Sequence, residues 1–477
     1  MRRAALWTAI ILILVTAAYI RIPVYGASPQ VVVRVALSVS LPLEFLLNQD
    51  ACVLPLDSIQ TAGDGIQVWR ELECSDSESC ISLTPSKKPY HVKVGDTPGE
   101  IVLRCPSGET ISFSERLLIL PTNHGSVAFQ IGNRRYPGGL EISYKPSKSG
   151  SGEISIINLV DLEIYTEGVL AGEVYPSWEP EALKAQAVAT RTYALRRLMD
   201  NKSGDYDVDD TVLSQVYLGE NGVEAFKNAV RETRGQVLVY DGVPIRAHYF
   251  SSGGGTTEGD EEVWLGGNDE PYLTARPDFD SISPYYRWEK PFTISADDLF
   301  RRIGLKPHNK GWIEPSIRLG DKVLAYRFHS GSNTVNLTRE QIRQKLGLLS
   351  PRFHVTVRNG KGQEVVVDSR TELDLSEVVV FGGVGSGHGV GLSQWGAQGM
   401  ALMCASDGTP MYDYVDILMH YYPGTELVDN YNIPTEPSYK GSEQPVQTVE
   451  DAHTGPIYED SSEDDIEVIE YIEFLVE

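Results

Sequence analysis

The chain has 477 residues, is 41% hydrophobic and carries a formal net charge of −25. That length and apolar content suffice for sizeable cores and favour two or three lobes over one. The acidity excludes nucleic acid as a partner, because such binding needs a basic surface to displace counterions.

Arg2 and Arg3 precede a run, residues 4–20, without charge, proline or glycine; Arg21 and Pro23 end it. A basic start, an apolar stretch and the small residues Gly26, Ala27 and Ser28 make residues 1–28 an export signal or membrane anchor. The run exceeds a usual signal core and just reaches the lower limit for a spanning helix. An uncleaved anchor is therefore preferred over cleavage after Gly26 or Ala27, where Tyr25 fits poorly. Either reading predicts an extracytoplasmic body with the two arginines kept inside.

Residues 29–137 read as short strands between turns. They hold Cys52, Cys74, Cys80 and Cys105, which in an exported segment predict two disulfides, with all three pairings open. The rival, a zinc site, lacks CxxC or Cys/His ligand spacing. Cys404 stands alone in an apolar stretch and is expected to be a small core residue. Residues 145–152 suggest a hairpin loop.

The character changes at Leu162. A helix over 162–174 stops at Pro176, and a second over 180–199 is the strongest in the chain. It has Pro180 in its first turn, Glu181 near its positive end and Arg196 and Arg197 in its last turn. A short strand near 213–217, a helix over 223–233 and the strands QVLVYDG and PIRAHYFSS follow, then a glycine-rich turn, GGGTTEG. Residues 293–374 read as an inserted lobe. The motif FGGVGSGHGVGLSQWGAQGMALM and a helix around 412–422 close a domain spanning 138–428. The acidic segment 429–477 is expected to be disordered and without chemistry. The fold class is α+β, with strand-rich lobes around a helical segment and an active groove at their junction.

Three stretches resist explanation by packing alone. Glu173 ends the first helix, where its charge opposes the helix dipole, with Trp178 nearby as apolar cover. Both effects raise a carboxyl pKa and suit a general acid. Lys184, Gln186, Arg191 and Tyr193 lie along the second helix, with Lys184 and Arg191 near one face. His388 sits among glycines that permit close backbone approach, and Ser393, Gln394 and Trp395 then offer hydroxyl, amide and indole groups suited to a sugar. A phosphate loop lacks its Lys-Ser/Thr, and a serine hydrolase lacks its Gly-x-Ser-x-Gly elbow.

The pieces VLAGEVYPSWEPEALKAQAVATRTYAL, VLSQVYLG, TRGQVLVYDGVPIRAHY, GGGTTEGDEEVW, PYLTARPD and GHGVGLSQWGAQGMA occur in the order of the stage II sporulation protein D family, which the chain resembles over residues 138–428. The resemblance implies a lytic transglycosylase acting on peptidoglycan glycan strands stripped of stem peptides. It would leave 1,6-anhydro-MurNAc ends, during sporulation and engulfment, with a cell-wall amidase and membrane proteins as partners. It assigns the catalytic role to Glu173, as acid and then base. Lys184, Gln186, Arg191, Tyr193, His388, Ser393, Gln394 and Trp395 become substrate or orienting groups. Ser251 and Ser252 join them from Tyr249-Phe250-Ser251-Ser252-Gly253-Gly254-Gly255, where many relatives read Tyr-His-Ser-Thr-Ser-Gly-Gly. Some relatives hold zinc through that histidine and nearby cysteines. Here Phe250 and Thr256 stand instead, so no metal and no other cofactor are expected, although His248 shares the strand face of Phe250. Two readings compete with the enzyme: a non-catalytic glycan-binding modulator of an amidase, as in relatives called amidase enhancers, and a structural wall anchor.

Overall fold

The computed structural model describes residues 31–39, 42–55, 81–121, 127–146, 152–201, 204–267 and 269–431. The expected anchor over 1–28, Cys74, Cys80 and nearly all of the acidic tail lie outside these residues. Among the described residues no helix is long and apolar enough to cross a membrane.

The architecture is α+β, with eight helices and several sheets among the described residues. A seven-stranded sheet runs in the order Val208–Asp209, Val32–Ala36, Glu153–Asp161, Gly139–Lys145, Arg116–Pro121, Ala51–Pro55, Ile81–Leu83. Alternation explains its first strand: Val33 and Val35 are fully buried, while Arg34 between them turns outward to pair with Asp207 at 2.6 Å. A six-stranded sheet, from Arg134–Pro137 to Thr110–Ser114, lies in the same amino-terminal half. The predicted boundary at 137/138 has no counterpart in the seven-stranded sheet. Its strands come from both sides of that point, and Val32–Ala36 pairs directly with Glu153–Asp161.

Helix α1 (Leu162–Glu173) follows that last strand, and α2 (Pro180–Asp200) packs beside it. Asp161 caps α1 by accepting from Glu163 N at 2.9 Å, and Pro180 opens α2 where a missing N–H costs nothing. The buried alanines 182, 185, 187, 189 and 194 let other elements approach α2 closely on several sides. Helix α3 (Glu224–Glu232) covers one side with Leu170, Val174, Leu183 and Ala187. Short α4 (Asp260–Val263) follows the glycine-rich turn. The expected strand near 213–217 is instead turn and irregular chain, and the strand lies just before it at Val208–Asp209.

Helices α5 (Ala296–Arg302) and α6 (Arg339–Leu346) belong to the inserted lobe, whose cluster runs from Ile294 to Phe381. Strand Val378–Gly383 also belongs to it, because it pairs with Phe292–Ser295 in the register Phe292↔Phe381. The lobe therefore extends past the expected limit at 374. Helices α7 (Gln394–Ala401) and α8 (Tyr414–Tyr421) return to α2, where Leu392, Ala397, Met400, Ile417 and Leu418 share its core.

Two cysteine expectations need correction. Cys52 is disulfide-bonded, but Cys105 carries a free thiol, so the four cysteines do not form two bridges. Cys404 is exposed rather than in the core: its residue forms an isolated bridge with Pro410 at a turn beyond α7.

Candidate active site

Glu173 is the last residue of α1, and its part-buried carboxyl is tied to two different parts of the chain. Val216 N donates to Oε1 at 2.9 Å, and Gln394 Nε2 donates to Oε2 at 3.0 Å. The Tyr249 hydroxyl also faces this carboxyl. Burial pushes the Glu173 pKa up to about 7, and these three donors oppose that shift by favouring the charged form. The dominant cause is thus desolvation rather than the helix end.

Two glycines make the Val216 contact feasible. A Cβ on Gly172 would lie 2.5 Å from Val216 O, and one on Gly168 would lie 2.5 Å from the Tyr217 ring. Bare α1 backbone at these positions, one turn apart, lets residues 215–217 lie directly on the helix.

Gln394 opens α7, whose N-cap is Ser393; Ser393 Oγ accepts from Gly396 N at 3.1 Å. Ser393 also lies beside the part-buried Asp278. Tyr421 Oη donates to Asp278 Oδ1 at 2.7 Å, and Gly253 N donates to Oδ2 at 3.0 Å. Burial and the neighbouring Asp280 charge push the Asp278 pKa up to about 6. Ser252 is buried with its hydroxyl on Asp280, whose carboxylate also takes Gly254 N and Gly255 N at 2.7 and 2.9 Å. Ser251 meets α7 through its carbonyl, which accepts from Trp395 N at 3.0 Å.

Trp395 places its ring 5.0 Å from Trp178 and 6.0 Å from Tyr175. All three rings are part-exposed, and Tyr175 lies two residues beyond Glu173. Such a platform suits the C–H face of a sugar.

The other expected residues lie elsewhere. Arg191 is only 1% exposed. Its guanidinium grips Glu163 of α1 at 3.0 and 2.7 Å and donates to Gln236 O at 3.2 Å, so its donors are committed to holding helices and strand together. Lys184 pairs with Glu181 and Glu232 at 2.8 and 2.9 Å. Neither touches Glu173, and substrate contact by these two is not what the geometry provides. Gln186 is buried, with Nε2 donating to Thr190 Oγ1 at 3.3 Å and Oε1 without a partner.

Tyr193, His248, Trp264, His388 and Phe250 form one packed group. His248 lies 5.7 Å from the Tyr193 ring and 4.9 Å from Trp264, and His388 lies 5.9 Å from His248 and 5.7 Å from Phe250. Burial drives both histidines down to a pKa of about 3, so both are neutral near neutral pH. His388 Nδ1 accepts from Val390 N at 3.1 Å, and its ring lies beside the Tyr249 backbone. His388 thus shapes the glycine-rich loop instead of meeting Glu173.

This histidine pair does not fit a zinc site: the neighbouring Phe250 offers no ligand atom, and His388 Nδ1 already accepts from Val390 N. Among the described residues, carboxylates of Asp260, Glu261 and Asp269 do approach one another. Asp260, however, already accepts from Glu261 N and Glu270 N at 2.9 and 3.0 Å.

Sequence reasoning missed two groups at the carboxyl, Val216 N and Tyr249, and behind them the buried Gln215, which links Tyr249 to Tyr165 at 3.0 and 3.1 Å. VLSQVYLG was a visible motif, but only the fold shows that it lies on α1.

Together the fold and site define an α+β protein with one part-buried carboxyl of raised pKa in the same region as an aromatic platform. A family described as stage II sporulation protein matches residues 150–240. Stage II sporulation protein D of Bacillus subtilis is 31% identical over 65% of this chain and 90% of its own length. An uncharacterised protein of Brachyspira hyodysenteriae is 32% identical over 74% of this chain and 93% of its own. The amidase enhancer of Bacillus subtilis is 31% identical over 55% of this chain and 40% of its own. The chain belongs to the stage II sporulation protein D family.

Proposed function

We propose that the protein is a peptidoglycan lytic transglycosylase in which Glu173 acts alone as acid and then base. The observation that carries this reading is a carboxyl with a pKa raised to about 7, held by uncharged donors and contacting no second carboxylate among the described residues. Protonated Glu173 gives its proton to the glycosidic oxygen, and the bond from that oxygen to C1 of MurNAc breaks. The resulting carboxylate takes the proton of the MurNAc C6 hydroxyl as O6 bonds to C1. A 1,6-anhydro end forms, Glu173 recovers its proton, and no water enters the reaction. Glycosidases with paired carboxylates need a second group for these roles.

The substrate is a glycan strand without stem peptides, stacked on Tyr175, Trp178 and Trp395. The protein acts outside the cytoplasm, held by residues 1–28, during the wall remodelling of sporulation. Mass spectrometry of peptide-free glycan strands after incubation with the full-length protein is the test. Anhydro-MurNAc ends that vanish with Glu173→Gln support the reading; intact strands with the wild type overturn it.

The relative named as an amidase enhancer favours one second reading, a glycan-binding modulator that stimulates a cell-wall amidase without cutting. Glu173→Gln separates the two, since a modulator still stimulates its partner.

A further inference from the structure

We propose that Tyr249 is a positioning residue for Glu173, its phenolic proton directed onto the carboxyl by the buried amide of Gln215. The direction follows from a backbone carbonyl. Thr190 O can only accept, and it lies 3.4 Å from Gln215 Nε2. The same nitrogen lies 3.0 Å from Tyr249 Oη, and Gln215 Oε1 takes the Tyr165 hydroxyl at 3.1 Å. Turning the amide over would set Oε1 against the Thr190 carbonyl, two acceptors facing each other. Gln215 is 1% exposed, so water does not relieve that conflict. Tyr249 Oη therefore accepts from Gln215. Its single proton is left for Glu173, whose carboxyl it faces.

The surroundings leave this task to neutral donors. Tyr165 from α1, Tyr193 from α2 and Tyr249 are the ionisable groups facing Glu173. Asp209 faces Tyr165 and Tyr193, while Arg197 and Arg246 face Tyr193. Among the described residues no cation pairs with Glu173. Negative charge that develops on Glu173 as it releases its proton is met by Val216 N, Gln394 Nε2 and Tyr249 Oη. Val216 and Gln394 each reach one oxygen through a fixed loop or helix end; Tyr249 alone is oriented by a chain of side chains. Resting on the reading of Glu173 as the acid, Tyr249 then favours the chemical step more than substrate binding.

The test uses the full-length protein with Tyr249→Phe, and Gln215→Met as a second variant that removes the orienting amide. Infrared difference titration, with the carboxyl band identified by its absence in Glu173→Gln, reads the ionisation of Glu173 without substrate. Tyr249→Phe should raise its midpoint by about one pH unit, the size expected of one charge-assisted hydrogen bond. Gln215→Met should move it the same way by less. In glycan cleavage, the fall in kcat above neutral pH should move up equally, with kcat reduced about tenfold and KM nearly unchanged. An unchanged carboxyl midpoint in Tyr249→Phe overturns the proposal. A raised midpoint in a protein that cleaves no glycan supports the Tyr249 relay and sinks only the catalytic reading of Glu173.

Discussion

Glu173 places a functional demand in conflict with stability. Its carboxyl has a folded pKa of about 7 against an ordinary value of 4.5. The unfolded chain therefore ionises first as pH rises, and the folded state holds the extra proton between those two values. Stability contributed at this residue falls from about pH 4.5 to about pH 7 and stays low above. Glu173→Gln keeps the shape and removes the charge. It should be more stable than wild type at pH 8 by on the order of 2 kcal/mol, and about equal at pH 4. Urea denaturation at the two pH values checks this, and equal stability at pH 8 would falsify the assignment of a desolvated carboxyl. Trp395 argues a different case, because it shapes a surface rather than a charge. Trp395→Ala should weaken retention on glycan strands about tenfold while leaving the pH dependence of cleavage in place. A shifted pH profile would instead mean that its ring acts through Glu173.

At the scale of elements, the site depends on how closely the chain can lie on α1. Gly172 has Val216 O at 2.5 Å and Val216 Cγ1 at 2.7 Å from the position of an added Cβ. Gly172→Ala should leave α1 helical, since alanine favours helix over glycine, but push residues 215–217 away and carry Val216 N off the carboxyl. A displacement of about 1 Å in such a contact lowers activity by up to about 100-fold. Kinetics together with circular dichroism test it; full activity in a helical protein would show that Val216 is not needed. The same elements mark what the sequence made legible. Glu173 and Gln394 stood in recognisable motifs, and the helices over 162–174 and 180–199 were readable from periodicity, proline and terminal charge. The contacts that organise Glu173 were not, because Val216 lies 43 residues away and Gln394 lies 221 away. Arg191 was misplaced for a related reason. A basic residue on a helix gives no sign of whether its partner is solvent, substrate or a buried glutamate such as Glu163, 28 residues earlier.

Across the whole molecule, one buried carboxylate joins the inserted lobe to the site. Glu258 is fully buried and faces Arg339 at 2.8 Å, Arg352 at 3.0 Å and Lys322 at 3.1 Å, all three from the lobe. Their charges hold its pKa below the usual carboxylate range despite burial. Its backbone N–H donates to Gly389 O at 2.7 Å, beside His388, and Arg352 also donates to the carbonyls of Gly253 and Thr256. The lobe therefore braces both glycine-rich segments of the site. Glu258→Gln would leave Arg339 and Arg352 facing no charge, while Lys322 keeps Glu262 at 2.5 Å, and breaking a buried pair in this way costs about 3–5 kcal/mol. Because the lobe has its own apolar cluster from Ile294 to Phe381, it should keep folding after the tie is lost. Wild type should thus unfold in one thermal transition, and Glu258→Gln in two, with the earlier one belonging to the glycine-rich segments. The depressed pKa adds a condition on pH: this contribution is present above the ordinary carboxylate range and is lost as pH falls through the lowered folded value. His248 and His388 lose stability in the same direction, since the unfolded chain takes up their protons below about pH 6.5 while the folded chain resists to about pH 3. Acid should accordingly separate the two transitions even in the wild type, before the lobe itself melts. Calorimetry of wild type and Glu258→Gln from pH 7 to pH 4 reads both effects, and a single transition in the variant at every pH would show that Glu258 stabilises the fold without coupling the lobe to the site.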